Sequence, residues 1–208
     1  MLRSVRIVGI NADMSDDTAE PRSEIECAEM ISRGQLPSPS FWYGSELFAI
    51  RFTGLGAAYR SRNDEVAWRE PSLWKSDAML RRCVAVPVIV GHPETGILNS
   101  KEFAARMIGI TIFSYVRDDA IWTIMRVLDH EAAEALVDEQ AYDSSPSVLF
   151  ASPTDSTMIE LKDGTRLLVE ATPVLIDHLA ICEVGVWGIG RGDEPGVEVT
   201  SQLETEEV

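Results

Sequence analysis

Short apolar runs closed off by turn residues are the feature of this chain that most narrows its fold. Leu47–Thr53, Val84–Val90, Met107–Val116, Ala120–Leu128 and Val174–Val184 are rich in branched and aromatic side chains and read as strands. Arg117-Asp118-Asp119 joins the third run to the fourth. Met158–Leu161 and Arg166–Glu170 flank Lys162-Asp163-Gly164-Thr165, where Asp-Gly signals a hairpin. Val5–Ile10 and Val148–Phe150 read as shorter strands, and Gly54-Leu55-Gly56 as a turn or bulge. Helices are expected between these runs. Ser23 and Glu26 have capping-box spacing ahead of a helix to Arg33, with Gly34 just past its end. Ser72–Arg82 reads as one helix, Asn99-Ser100 caps another through Arg106, and Asp129 caps His130–Val137. Many short strands with a few helices predict an α+β chain, mainly β, built as a barrel or a curled sheet with helices outside.

Length and charge bound the organisation. A chain of 208 residues suits one domain with a full core. Residues 1–40 read as an N-terminal appendage ending in the linker Pro37-Ser38-Pro39-Ser40, residues 41–192 as the main domain, and residues 193–208 as a disordered tail. That tail holds six acidic residues and no basic one. The net charge of −16 argues against binding nucleic acid through phosphates and against an anionic membrane surface. No stretch approaches the ~18 apolar residues of a membrane span. Cys27, Cys83 and Cys182 form no CxxC pair and read as buried or incidental thiols. The expectation is a soluble protein of a cytoplasm.

The chemistry rests on few residues. Of the three histidines, His92 stands in Gly91-His92-Pro93 and His178 in Asp177-His178-Leu179-Ala180-Ile181-Cys182-Glu183-Val184-Gly185. Between them lies Ser144-Ser145-Pro146-Ser147-Val148. A serine hydroxyl needs a base within hydrogen-bond reach, and the base needs a partner that holds its tautomer. Histidine suits the first task, with an unperturbed pKa near 6.5. A second histidine serves the other task without a full negative charge, so slower turnover than with a carboxylate is expected. Each feature has a plainer reading. His178 among apolar neighbours suits a structural histidine, His92 between Gly and Pro suits a turn, and the serines suit a loop. His130 reads as a solvated helix residue. No pair of histidines has zinc-motif spacing, although a site from His92, Cys182 and His178 is conceivable.

Taken together and in order, these segments resemble the prohead proteases of tailed bacteriophages, relatives of the herpesvirus assembly proteases. The similarity runs from about Phe48 to about Gly192. It is carried by Ala49-Ile50-Arg51-Phe52-Thr53-Gly54-Leu55-Gly56-Ala57-Ala58-Tyr59-Arg60, Pro87-Val88-Ile89-Val90-Gly91-His92-Pro93, Ile108-Gly109-Ile110, the helix Asp129 to Glu139, Ser147-Val148-Leu149-Phe150, and the segment from His178 to Gly185. The resemblance implies Ser147 as nucleophile, His92 as general base and His178 as its orienting partner, with the two histidine roles open to exchange. Ser144 and Ser145 are the fallback nucleophiles. Leu149 stands where the family usually has Gly. The family's Gly-Arg after the second histidine is matched only later, by Gly190-Arg191-Gly192, which makes Arg191 the oxyanion candidate.

The resemblance further implies a closed or nearly closed β-barrel surrounded by a few helices, as in the herpesvirus proteases. The implied activity is that of a serine endopeptidase of capsid maturation. Its substrates would be scaffold, portal and major capsid proteins, and the chain itself. The setting would be the host cytoplasm, inside the assembling procapsid. No metal or organic cofactor is implied. A homodimer is left open, the state in which the herpesvirus relatives work. The alternative is a catalytically inactive homologue serving as an internal scaffold or structural capsid protein. A small-ester hydrolase lacks its Gly-x-Ser-x-Gly elbow here.

Overall fold

Side-chain caps set where the helices begin. In the computed structural model, residues 20–60, 63–139, 142–152, 154–183, 185–186 and 197–198 are described. The expected strand at Val5–Ile10 and residue Arg191 lie outside them. Ser23 accepts the Glu26 N–H at 3.1 Å and opens α1 (Glu24–Ser32). Next come β1 (Ser40–Trp42), β2 (Ser45–Gly54), β3 (Gly56–Arg60) and β4 (Glu65–Arg69). The single helix expected over residues 72–82 is instead two, α2 (Pro71–Trp74) and α3 (Asp77–Arg82). The break falls at Ser76, whose hydroxyl accepts the Met79 N–H at 3.3 Å and makes a fresh N-cap.

β5 (Pro87–Val90) is followed by α4 (Ser100–Arg106), which Asn99 caps by accepting the Lys101 and Glu102 N–H groups at 3.0 Å. β6 (Met107–Arg117) and β7 (Ala120–Val127) form the long hairpin. Asp129 caps α5 (His130–Glu139) through Ala132 N at 3.0 Å. The serine cluster, which suits a loop on its own, lies within β8 (Asp143–Leu149). β9 (Thr157–Glu160) and β10 (Arg166–Val169) make the Asp-Gly hairpin. β11 (Leu175–Cys182) and β12 (Val197–Glu198) complete the described elements. Of the acidic tail, only Val197 and Glu198 are described, and they pair with β2.

The fold is α+β and mainly β. The larger sheet runs β1-β2-β7-β6-β5-β11-β8, with β12 also on β2, and the smaller runs β3-β4-β10-β9. Pairs are antiparallel except β5–β11 and β4–β10. β2 is buried on both faces. Phe48, Ile50 and Phe52 point to a core with Trp74, Met79, Val88, Met125 and Leu179. Leu47 and Ala49 point the other way, where Cys27, Ala28 and Ile31 of α1 cover them with Trp122 and Ile124. The stretch read as an appendage therefore carries a helix packed on the sheet.

The last strand of the larger sheet, β8, approaches its second, β2. Arg51 of β2 pairs with Asp143 of β8 at 2.9 Å, with side chains only 4 % and 10 % exposed. Ser144 Oγ donates to the Arg51 carbonyl. No ladder joins β8 to β2 among the described strands, so the hydrogen-bonded path stays open there. Among the described residues, no helix is long and apolar enough to cross a membrane.

Candidate active site

β5 and β11 run parallel side by side, and together they bring the two distant histidines into contact. Gly91 follows β5 with φ of +63°, a left-handed conformation that glycine adopts without strain. Its N–H donates to Ile181 O at 2.9 Å, and the chain then leaves the sheet and carries His92 with it. His178 sits within β11 and is fully buried. His92 Nδ1 and His178 Nε2 are 2.8 Å apart, with ring planes 61° from parallel.

A register shift in β11 sets the next contact. Ile176 pairs with Val148 and His178 with Ser147, so Asp177 is the extra residue of a bulge. In a regular strand, neighbouring side chains point to opposite faces. The bulge re-aims them, and Asp177 Oδ2 lies 2.7 Å from His178 Nδ1. The same oxygen accepts the Leu98 N–H at 2.8 Å, tying down the chain that follows His92.

β8 supplies the serines. Ser145 and Ser147 alternate onto one face and line a cleft of about 480 Å³. Around them stand His92, Pro93, Glu94, Arg60, Arg69 and Val186. Ser144 points the other way, is 4 % exposed, and spends its hydroxyl on Arg51 O. Burial therefore removes one fallback nucleophile. Ser147 lies directly across from His178 in the ladder, whereas Ser145 lies across from Ala180. Ser147 Oγ donates to Gly96 O at 3.2 Å.

The two cleft arginines are paired with carboxylates. Arg60 bonds Glu170 and lies 3.6 Å from Glu65, while Arg69 reaches Glu170 at 2.6 Å, Thr53 Oγ1, and the face of Trp74. Burial lowers the pKa of His92 from its usual value, and a charge on His178 lowers it further. Both shifts favour the neutral ring, the form a general base requires. His178 has both ring nitrogens occupied and no exposed surface, so among the two histidines only His92 can meet a ligand in the cleft.

Ser147 and His92 thus line one cleft, and His178 lies behind His92, fully buried and hydrogen-bonded to it. Sequence reasoning assigned no role to Asp177 or to the arginines Arg60 and Arg69. Asp177 is the immediate neighbour of His178, but strand alternation alone would turn it away. The arginines come from the smaller sheet and carry no local motif. Where the resemblance looks for an arginine after Gly185, Val186 forms cleft wall. Among the described residues, no cluster of three or more His, Cys, Asp or Glu could hold a metal ion. No protein-family model, curated protein or solved structure matches the chain.

Proposed function

We propose that this chain is a serine endopeptidase of phage capsid maturation, working through Ser147, His92 and His178. One observation carries the reading above the others. Two histidines 86 residues apart are hydrogen-bonded at 2.8 Å, beside a cleft that one of them shares with a strand serine. A pair used only for packing has no need of an open cleft next to a neutral imidazole. The resemblance in motif order supplies the substrate class.

In the reaction, Ser147 turns about its Cα–Cβ bond from Gly96 O toward His92. Its Oγ bonds to the scissile carbonyl carbon while His92 Nε2 takes its proton, and the C=O electrons move to oxygen. The imidazolium then protonates the amine nitrogen as the C–N bond breaks. Water repeats the sequence on the acyl-enzyme, returning the serine hydroxyl and releasing a carboxylate. Arg191 is the candidate oxyanion donor that the resemblance supplies.

The nearly closed barrel belongs to this reading too, and is supported by the Arg51–Asp143 pair that brings β8 beside β2. The substrates are scaffold, portal and major capsid proteins, met inside the procapsid in the host cytoplasm. Confinement there raises local substrate concentration and offsets slow chemistry.

One observation favours the non-catalytic reading, in which the chain is an internal scaffold. Ser147 Oγ is bonded to Gly96 O and not to an imidazole nitrogen. Co-expression with the scaffold, portal and capsid proteins of the cognate phage separates the two. The wild type should yield shortened products by mass, and Ser147→Ala full-length ones. Identical fragments from both would move the nucleophile to Ser145 or to another enzyme. Shells that form with nothing cut by either protein would leave the scaffold reading standing.

A further inference from the structure

We infer that Asp177 is the charged end of a four-membered chain, Ser147–His92–His178–Asp177, and is a positioning residue for the reaction proposed above. The inference rests on that reading of Ser147 and His92. It also changes the expectation drawn from a pair of histidines alone, because a full negative charge is present one ring further back.

A carboxylate only accepts hydrogen bonds. With Asp177 Oδ2 at 2.7 Å, the proton of neutral His178 is held on Nδ1. Its Nε2 then carries a lone pair and accepts the His92 Nδ1–H across 2.8 Å. That leaves the lone pair of His92 on Nε2, the nitrogen with no hydrogen-bond partner among the described residues and the one needed as base. The reverse tautomer of His178 would donate to His92 Nδ1 and drive the His92 proton onto Nε2, where it blocks proton abstraction. Asp177 thus selects the competent tautomer through two rings.

The surroundings make the carboxylate an effective partner. The Asp177 side chain is 10 % exposed and His178 fully buried, so water screens their contact little. The other charged groups around His92 are Glu94, Arg60 and Arg69 in the cleft walls, and the arginines are matched by Glu65 and Glu170. Asp177 is the anion connected to His92 by hydrogen bonds through His178. It also holds Leu98 N–H, so a purely structural role as loop anchor has to be separated from its charge.

Asp177→Asn makes that separation. Both Leu98 N–H and the His178 proton go to one oxygen, and an amide oxygen can replace it without the charge. The full chain is treated with a fluorophosphonate, which forms an Oγ–P bond on the active serine and expels fluoride. Labelling is followed by intact mass across pH, with Ser147→Ala as control. Asp177→Asn should slow labelling at least about 10-fold, near 1.4 kcal/mol of barrier. It should also move the midpoint of the pH profile downward, since loss of an anion disfavours imidazolium. Asp177→Glu should recover part of the rate, and Asp177→Asn should melt close to wild type.

Nitrogen-15 NMR of histidine-labelled protein reads the tautomer without any activity. The wild type should carry the His178 proton on Nδ1, and Asp177→Ala should lose that preference. Wild-type labelling rate and pH midpoint in Asp177→Asn would overturn the inference, as would a proton on Nε2 of His178. A wild type that takes no probe overturns the protease reading instead, while the NMR result still decides whether Asp177 holds the tautomer.

Discussion

His92 and His178 share one hydrogen bond but occupy opposite environments. His178 has no exposed surface and both nitrogens engaged, whereas His92 is exposed at the edge of a cleft. Under the proposed mechanism, that difference makes His92 the base and His178 its partner, roles that motif order alone left exchangeable. It also predicts a pH dependence. Burial holds the folded-state pKa of His92 below its usual value of 6.5, and the proposed mechanism needs the neutral ring. Serine labelling should therefore be at its plateau at pH 7 and fall only as pH drops through a midpoint below 6.5. A midpoint above 6.5 would mean that His92 is stabilised as a cation and is not the base. The sign for stability is the same. The unfolded chain binds more protons than the folded one between the two pKa values, so this residue's contribution weakens as pH falls through that window.

At the scale of the element, strand geometry does most of the positioning. β8 presents Ser145 and Ser147 on one face and buries Ser144 on the other, which its period of two requires. β11 would separate Asp177 from His178 by the same rule, and its bulge brings them together. Just beyond β11, Gly185 donates its N–H to Asp143 Oδ2 at 3.0 Å. A Cβ added there would press on the Ser144 carbonyl and the Asp143 carboxylate, neither of which can yield cheaply. Gly185→Ala should lower the unfolding free energy by roughly 1–3 kcal/mol. Urea denaturation with an unchanged midpoint would show that the segment can relax. The helix break at Ser76 follows the same logic of local competition, since a hydroxyl that caps α3 ends the previous turn.

Across the whole molecule, the larger sheet curls until its last strand stands beside its second. Arg51 and Asp143 hold that seam, both nearly buried and 2.9 Å apart. Breaking such a pair leaves a charge with no partner in low dielectric, at a cost of ~3–5 kcal/mol. Asp143→Ala should thus be among the most destabilising single changes, and it also strands the Gly185 N–H. The double variant Arg51→Met/Asp143→Leu should regain much of the loss, as measured by thermal melting. Failure to regain any would mean that the pair matters for more than charge balance. The same seam places β8 where its exposed face becomes cleft wall, so destabilisation there should reduce Ser147 labelling as well.

Much of this arrangement was legible in the residues. Periodicity located most strands, and the side chains of Ser23, Asn99 and Asp129 marked helix starts, because both signals are local and act within a few residues. Motif order brought forward Ser147, His92 and His178. What the sequence could not decide was which residues meet across the fold. Hydrogen bonding of β5 to β11 joins His92 to His178, one bulge turns Asp177 back onto His178, and the packing of the smaller sheet brings Arg60 and Arg69 to the same cleft. Those contacts depend on registers and on strands far apart in the chain. No local pattern encodes them, and burial, which gives each residue its chemistry, exists only once they have formed.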